Sequence, residues 1–127
     1  MANKPRLIYE EIRDYESEEV QDALSRDVPA ELLRIVIGVA LNHEDFHFGQ
    51  SLCIRLAYHE HFNVRGNAVL GFGHLARRFR QLDEAHVRPI IEGALADSSE
   101  YVRGQAWAAA DDIAHFLKWK IAGFDRA

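Results

Sequence analysis

The sequence predicts an all-α protein, a short right-handed α-solenoid of helical hairpins with an acidic N-terminal arm. Three observations carry that prediction. Apolar residues recur at helical spacing from Pro29 to Trp119, with no period-two alternation and no Asn-Gly or Asp-Gly hairpin turn. The links between periodic segments are short, about 2–6 residues, which makes neighbouring helices antiparallel. One segment then returns, with Val64 matching Val102, an offset of 38 residues.

Along the chain, Met1 to Pro5 read as a loose end. Residues 1–28 form an acidic arm packed on the same domain, and 29–127 the solenoid. In the arm, Ile8, Tyr9, Ile12 and Tyr15 make a sparse apolar stripe among Glu10, Glu11, Asp14, Glu16, Glu18 and Glu19. Ser17, followed by two glutamates, starts a short helix over Val20–Leu24. Pro29 suits a first helical position and Glu31 the positive end of the helix dipole. The run that follows, Leu32 to Leu41, is apolar on nearly all sides, so this helix is expected at the centre of the fold. Asp45 caps Phe46–Tyr58, with Leu52, Cys53 and Leu56 inward. Asn63 caps Val64–Phe79, Asp83 caps Glu84–Ala96, and Ser98 or Ser99 caps a last helix from Glu100 to about Trp119.

Composition bounds the function. A chain of 127 residues, 48% hydrophobic and 28% charged, makes one folded domain. One cysteine, Cys53, excludes a disulfide framework and a multi-cysteine zinc site, and reads as a buried small hydrophobe. No basic start precedes an apolar run, and Leu32–Leu41, broken by Arg34, is half a membrane span, so a cytoplasmic location is expected. The net charge of −5 turns the reading away from nucleic acid and toward a basic or neutral protein partner. Arg77-Arg78-Phe79-Arg80, with Arg88 nearby, is the one basic cluster, and it reads as a helix end favoured by the dipole. No glycine-rich loop follows a strand, so neither a nucleotide nor another small-molecule substrate is expected.

The repeat has a physical logic. Asn63-Val64-Arg65-Gly66-Asn67-Ala68 aligns with Tyr101-Val102-Arg103-Gly104-Gln105-Ala106. Val64 and Val102 seal the repeat boundary, Ala68 and Ala106 let the adjacent helix approach, and Arg65 and Arg103 reach carbonyls or a carboxylate next door. Seven glycines (38, 49, 66, 71, 73, 93 and 104) fall inside predicted helices. Each costs about 1 kcal/mol against alanine, which close backbone packing would justify.

The twice-repeated Val-Arg-x-x-Ala pattern resembles the HEAT-repeat family in its short form related to phycobilisome-lyase repeats. Residues 63–77 and 101–113 are similar to small bacterial HEAT-like proteins found beside polymorphic toxins. The resemblance covers about residues 29 to 119 and implies a non-catalytic immunity protein that binds a toxin domain, plausibly a basic one. A general scaffold without a toxin partner is the alternative.

Two motifs favour a third reading, a metal-dependent enzyme using His43, His47, His59 and Glu60. His43-Glu44-Asp45-Phe46-His47 spells His-Glu-x-x-His, but it straddles a helix junction. HEAT-like diiron hydroxylases place His-Glu pairs at repeat-helix starts, where this chain has Arg65-Gly66 and Arg103-Gly104. No cofactor and no metal is therefore expected. The preferred partner-binding set is acidic and aromatic: Asp97, Glu100, Tyr101, Trp107, Asp111 and Asp112 around the last helix, with Glu10, Glu11 and Tyr15 in the arm.

Overall fold

A computed structural model of the chain describes residues 13–125. Among them are six α-helices and no strand: α1 (Ser17–Arg26), α2 (Pro29–Asn42), α3 (Phe46–Leu56), α4 (Phe62–Phe79), α5 (Glu84–Ala94) and α6 (Glu100–Leu117). No described helix is long and apolar enough to cross a membrane.

The starts follow local chemistry. Glu16, one residue before the expected Ser17, caps α1 in a reciprocal box with Glu19, whose carboxylate accepts the Glu16 N–H at 2.8 Å. Pro29 opens α2, and Asp45 accepts the Phe48 N–H at 3.2 Å at the start of α3. The α4 cap is His61 rather than Asn63: its Nδ1 accepts the Asn63 N–H. Ser99 caps α6 through the Val102 N–H, while Asp83 stands before α5 with its carboxylate on the His86 ring. Leu117 ends α6 two residues short of Trp119, with Lys118 in the left-handed conformation.

The central helix is α4, not α2 as the apolar run had implied. It packs along α2 on one flank and α6 on the other, while α3 and α5 lie across it and α1 covers α2. At Gly38, α2 meets Arg13 and Tyr15. A side chain at Gly38 would collide with the Arg13 carbonyl and the Tyr15 ring. The polar residues of α4 misled the reading because their groups are paired and its glycines admit the neighbours. A Cβ at Gly71 would lie 2.6 Å from Cys53 Sγ, and one at Gly73 would lie 3.1 Å from Ala109 Cα. Close packing does not explain every glycine: a Cβ at Gly93 or Gly104 would meet nothing within 4 Å.

Links within and between hairpins fall at opposite ends. At the hairpin-turn end, His59 Nε2 bonds Asp27 across the first two turns at 2.8 Å, and Arg65 joins the second to Asp97 in the third. At the linker end, Arg78 donates to the Ala40 and His43 carbonyls at the close of α2, and the Asp83 N–H reaches Gln50. The segment after α6 folds back on it. Ile121 is buried, the Ala122 N–H donates to Glu92, and Phe124 sits 4.6 Å from Trp107.

Candidate functional site

The capped first turn of α6 projects Tyr101 across the surface of α4. Its ring lies where a Gly66 side chain would be, and its hydroxyl accepts from Asn67 at 2.7 Å and Gln105 at 3.1 Å. That fixes the ring in place while leaving it 40% exposed. Phe62, in the first turn of α4, meets it edge-on at 5.8 Å, and the His61 ring stacks on Phe62 at 5.2 Å. Val28 and Tyr58 add two more exposed apolar side chains at the same hairpin-turn end, and Tyr58 is 72% exposed. Of the large hydrophobics exposed among the described residues, only Trp107 lies elsewhere, midway along α6 with Phe124 against one side.

This end is tied together by Arg65. Its guanidinium grips both oxygens of Asp97 at 2.8 Å and donates to the His59 and Glu60 carbonyls. Arg103 repeats the carbonyl part 38 residues on, donating to Asp97 and Ser98. The Arg65 bond, helped by the Ser99 N–H, holds the Asp97 carboxyl below the usual carboxylate range. Glu60 and Glu100 differ: among the described residues neither carboxylate has an ion-pair partner.

The expected binding residues therefore separate. Glu100, Tyr101 and Trp107 are exposed. Asp111 and Asp112 are half-buried, with Asp112 3.7 Å from Arg77. Asp97 leaves the partner-binding set because its carboxylate is committed to Arg65 and little exposed. Tyr15 leaves it too: it is buried against α2 under Arg13, whose guanidinium lies 4.1 Å from the ring centre. Glu10 and Glu11 lie outside the described residues. Val64, Ala68, Val102 and Ala106 are fully buried. Sequence reasoning gave Tyr58 and Phe62 no binding role and named Glu60 only in the metal-dependent reading. The signal for Phe62 was an aromatic in a first helical turn, as at Tyr101.

The metal-dependent reading finds no geometry. His43 Nδ1 accepts the Asp45 N–H, and Asp45 is spent on the α3 cap. His59 is held between Asp27 and the His61 N–H. Among the described residues no group of three or more His, Cys, Asp or Glu side chains is placed to hold a metal ion. Cys53 is buried, which pushes its thiol up to about 12 and leaves it no thiolate at neutral pH. Desolvation, with Arg77 and Arg78 nearby, lowers His74 to about 4.

Beside Tyr58 a groove of about 290 Å³ opens between the ends of α3 and α5, floored by Arg65 and Asp97 and walled by Pro89, Ile90, Gly93 and Ala94.

No protein-family model matches the chain, and no curated protein matches it. Its fold is similar to that of a chain in the crystal structure of a CDI complex from Cupriavidus taiwanensis LMG 19424, at 23% sequence identity, a TM-score of 0.69, and coverage of 81% of this chain and 91% of that one.

Proposed function

We propose that this chain is a non-catalytic immunity protein that binds a toxin domain and covers its working surface. The observation that carries the reading is the shared fold with a component of a CDI complex, which we read as a toxin paired with its immunity protein. The exposed aromatic cluster and the net charge of −5 are consistent with it. Aromatics anchor an interface and carboxylates speed encounter with a basic partner. We read the three hairpins as a short HEAT-type stack. The support is the pair of Arg65 and Arg103 bonds at one offset, and the alignment of α2, α4 and α6.

The test is co-expression with the product of the reading frame beside this chain's gene, as the candidate toxin, followed by stopped-flow association. Rescue of growth and a stable complex are expected. Glu100→Lys, Asp111→Lys and Asp112→Lys together should slow association by about ten-fold or more at low salt and far less at high salt. A toxin that kills regardless of this protein overturns the reading. A rate insensitive to salt and to the three changes overturns its electrostatic part.

A further inference from the structure

We infer that the groove beside Tyr58 is a socket for an aliphatic side chain flanked by lysine or arginine on the bound toxin domain, an inference that rests on the immunity reading above. Three independent features of the hairpin-turn end meet there.

The first is an unexplained glycine. Gly93 sits inside α5, where glycine is costly, yet a side chain there would meet nothing within 4 Å. Five helical glycines are occupied by a neighbour; this one faces an open groove. The second is apolar surface with nothing over it. Tyr58 is 72% exposed at the mouth, Pro89, Ile90 and Ala94 form the walls, and the floor charges of Arg65 and Asp97 cancel each other. The third is charge. Glu60 follows Tyr58 by two residues and Glu100 follows Asp97 by three, and among the described residues neither carboxylate has an ion-pair partner. Arg26 is matched by Glu31 and Arg65 by Asp97. Two cations at these turns lack a carboxylate among the described residues: Arg103, which is spent on the Asp97 and Ser98 carbonyls, and Arg55, which lines a different cavity with Val20 and Leu24 of α1. Among the described residues no aromatic at this end carries a guanidinium, so the exposed ring of Tyr58 is open to an incoming cation. An apolar slot with one bare ring in its lining, and carboxylates two and three residues along the chain from Tyr58 and Asp97, selects an aliphatic residue between basic ones.

Two probes test this. The first is acetyl-Lys-Leu-Lys-amide, added at millimolar concentration to ¹⁵N-labelled protein. Amide shifts at Tyr58, Gly93 and Ala94 are expected, with none from acetyl-Glu-Leu-Glu-amide. Gly93→Leu, which fills the slot, should abolish them while leaving Tm unchanged or higher. The second is the same candidate toxin: Gly93→Leu and Tyr58→Ala should each weaken binding about ten-fold or more. No peptide shift at Gly93 overturns the socket. So do shifts at Gly93 that follow protein concentration alone, the mark of a second copy on that face. Toxin binding that ignores both substitutions overturns the socket and leaves the immunity reading standing. A toxin that binds neither wild type nor variants overturns the immunity reading itself.

Discussion

The two ends of the molecule treat their aromatic residues in opposite ways. At the linker end four rings are covered by an arginine: Arg13 over Tyr15 at 4.1 Å, Arg78 over Phe79 at 4.6 Å, Arg80 over Phe116 at 4.2 Å and Arg88 over Trp119 at 5.5 Å. At the hairpin-turn end Tyr58, Phe62 and Tyr101 have no such cover, and Arg26, Arg65 and Arg103 bind carboxylates and carbonyls instead. A guanidinium over a ring stabilises the fold and closes the surface to others. The basic cluster read from the sequence as a dipole-favoured helix end is thus the inner seal of one end, while the uncovered rings lie at the end where we propose that a partner docks.

This contrast implies that the hairpin-turn end, lacking ring cover, depends on Arg65. Arg65→Ala would strand a largely buried Asp97 carboxylate and free two carbonyls, at a cost of about 2–3 kcal/mol by urea unfolding. A loss under about 0.5 kcal/mol would show that the end is held by packing alone.

Next in size is Arg78→Ala. Arg78 satisfies two carbonyls at the close of α2, so its removal should cost about 2 kcal/mol and leave partner affinity unchanged. A variant that kept its stability but lost binding would reverse the roles assigned to the two ends.

The smallest effect is a pH slope. Asp97 has a folded-state carboxyl lowered by Arg65, so its stabilisation is present above the ordinary carboxylate value and is lost as pH falls through the lowered one. The urea midpoint should drop as pH falls below about 4, with a shallower drop in Asp97→Asn. Equal slopes would remove the ion pair from the acid response.

Much of the helix pattern was legible because caps and periodicity are local. Pro29, Asp45 and Ser99 start helices where their chemistry suggests. The central element was not legible. Apolar content pointed to α2, but α4 won because Gly66, Gly71 and Gly73 admit neighbours from several sides, a property visible only once those neighbours are placed. The site was half legible for the same reason. Tyr101 and Glu100 stand in the open, whereas Asp97 and Tyr15 look identical to surface residues until Arg65 and Gly38 meet them. Tyr58 stood only as a helix end and Gly93 only as a glycine expected at a close packing contact, whereas their meaning comes from a gap between two helices.

Cys53 carries a practical consequence. Its sulfur lies in the seam between α3 and Gly71 and is fully buried. Alkylating reagents can reach it only when α3 lifts away, so the rate of thiol labelling would clock that opening directly, with no introduced dye. One natural atom thereby reports whether the proposed partner, once bound, clamps the far layer shut or leaves it breathing.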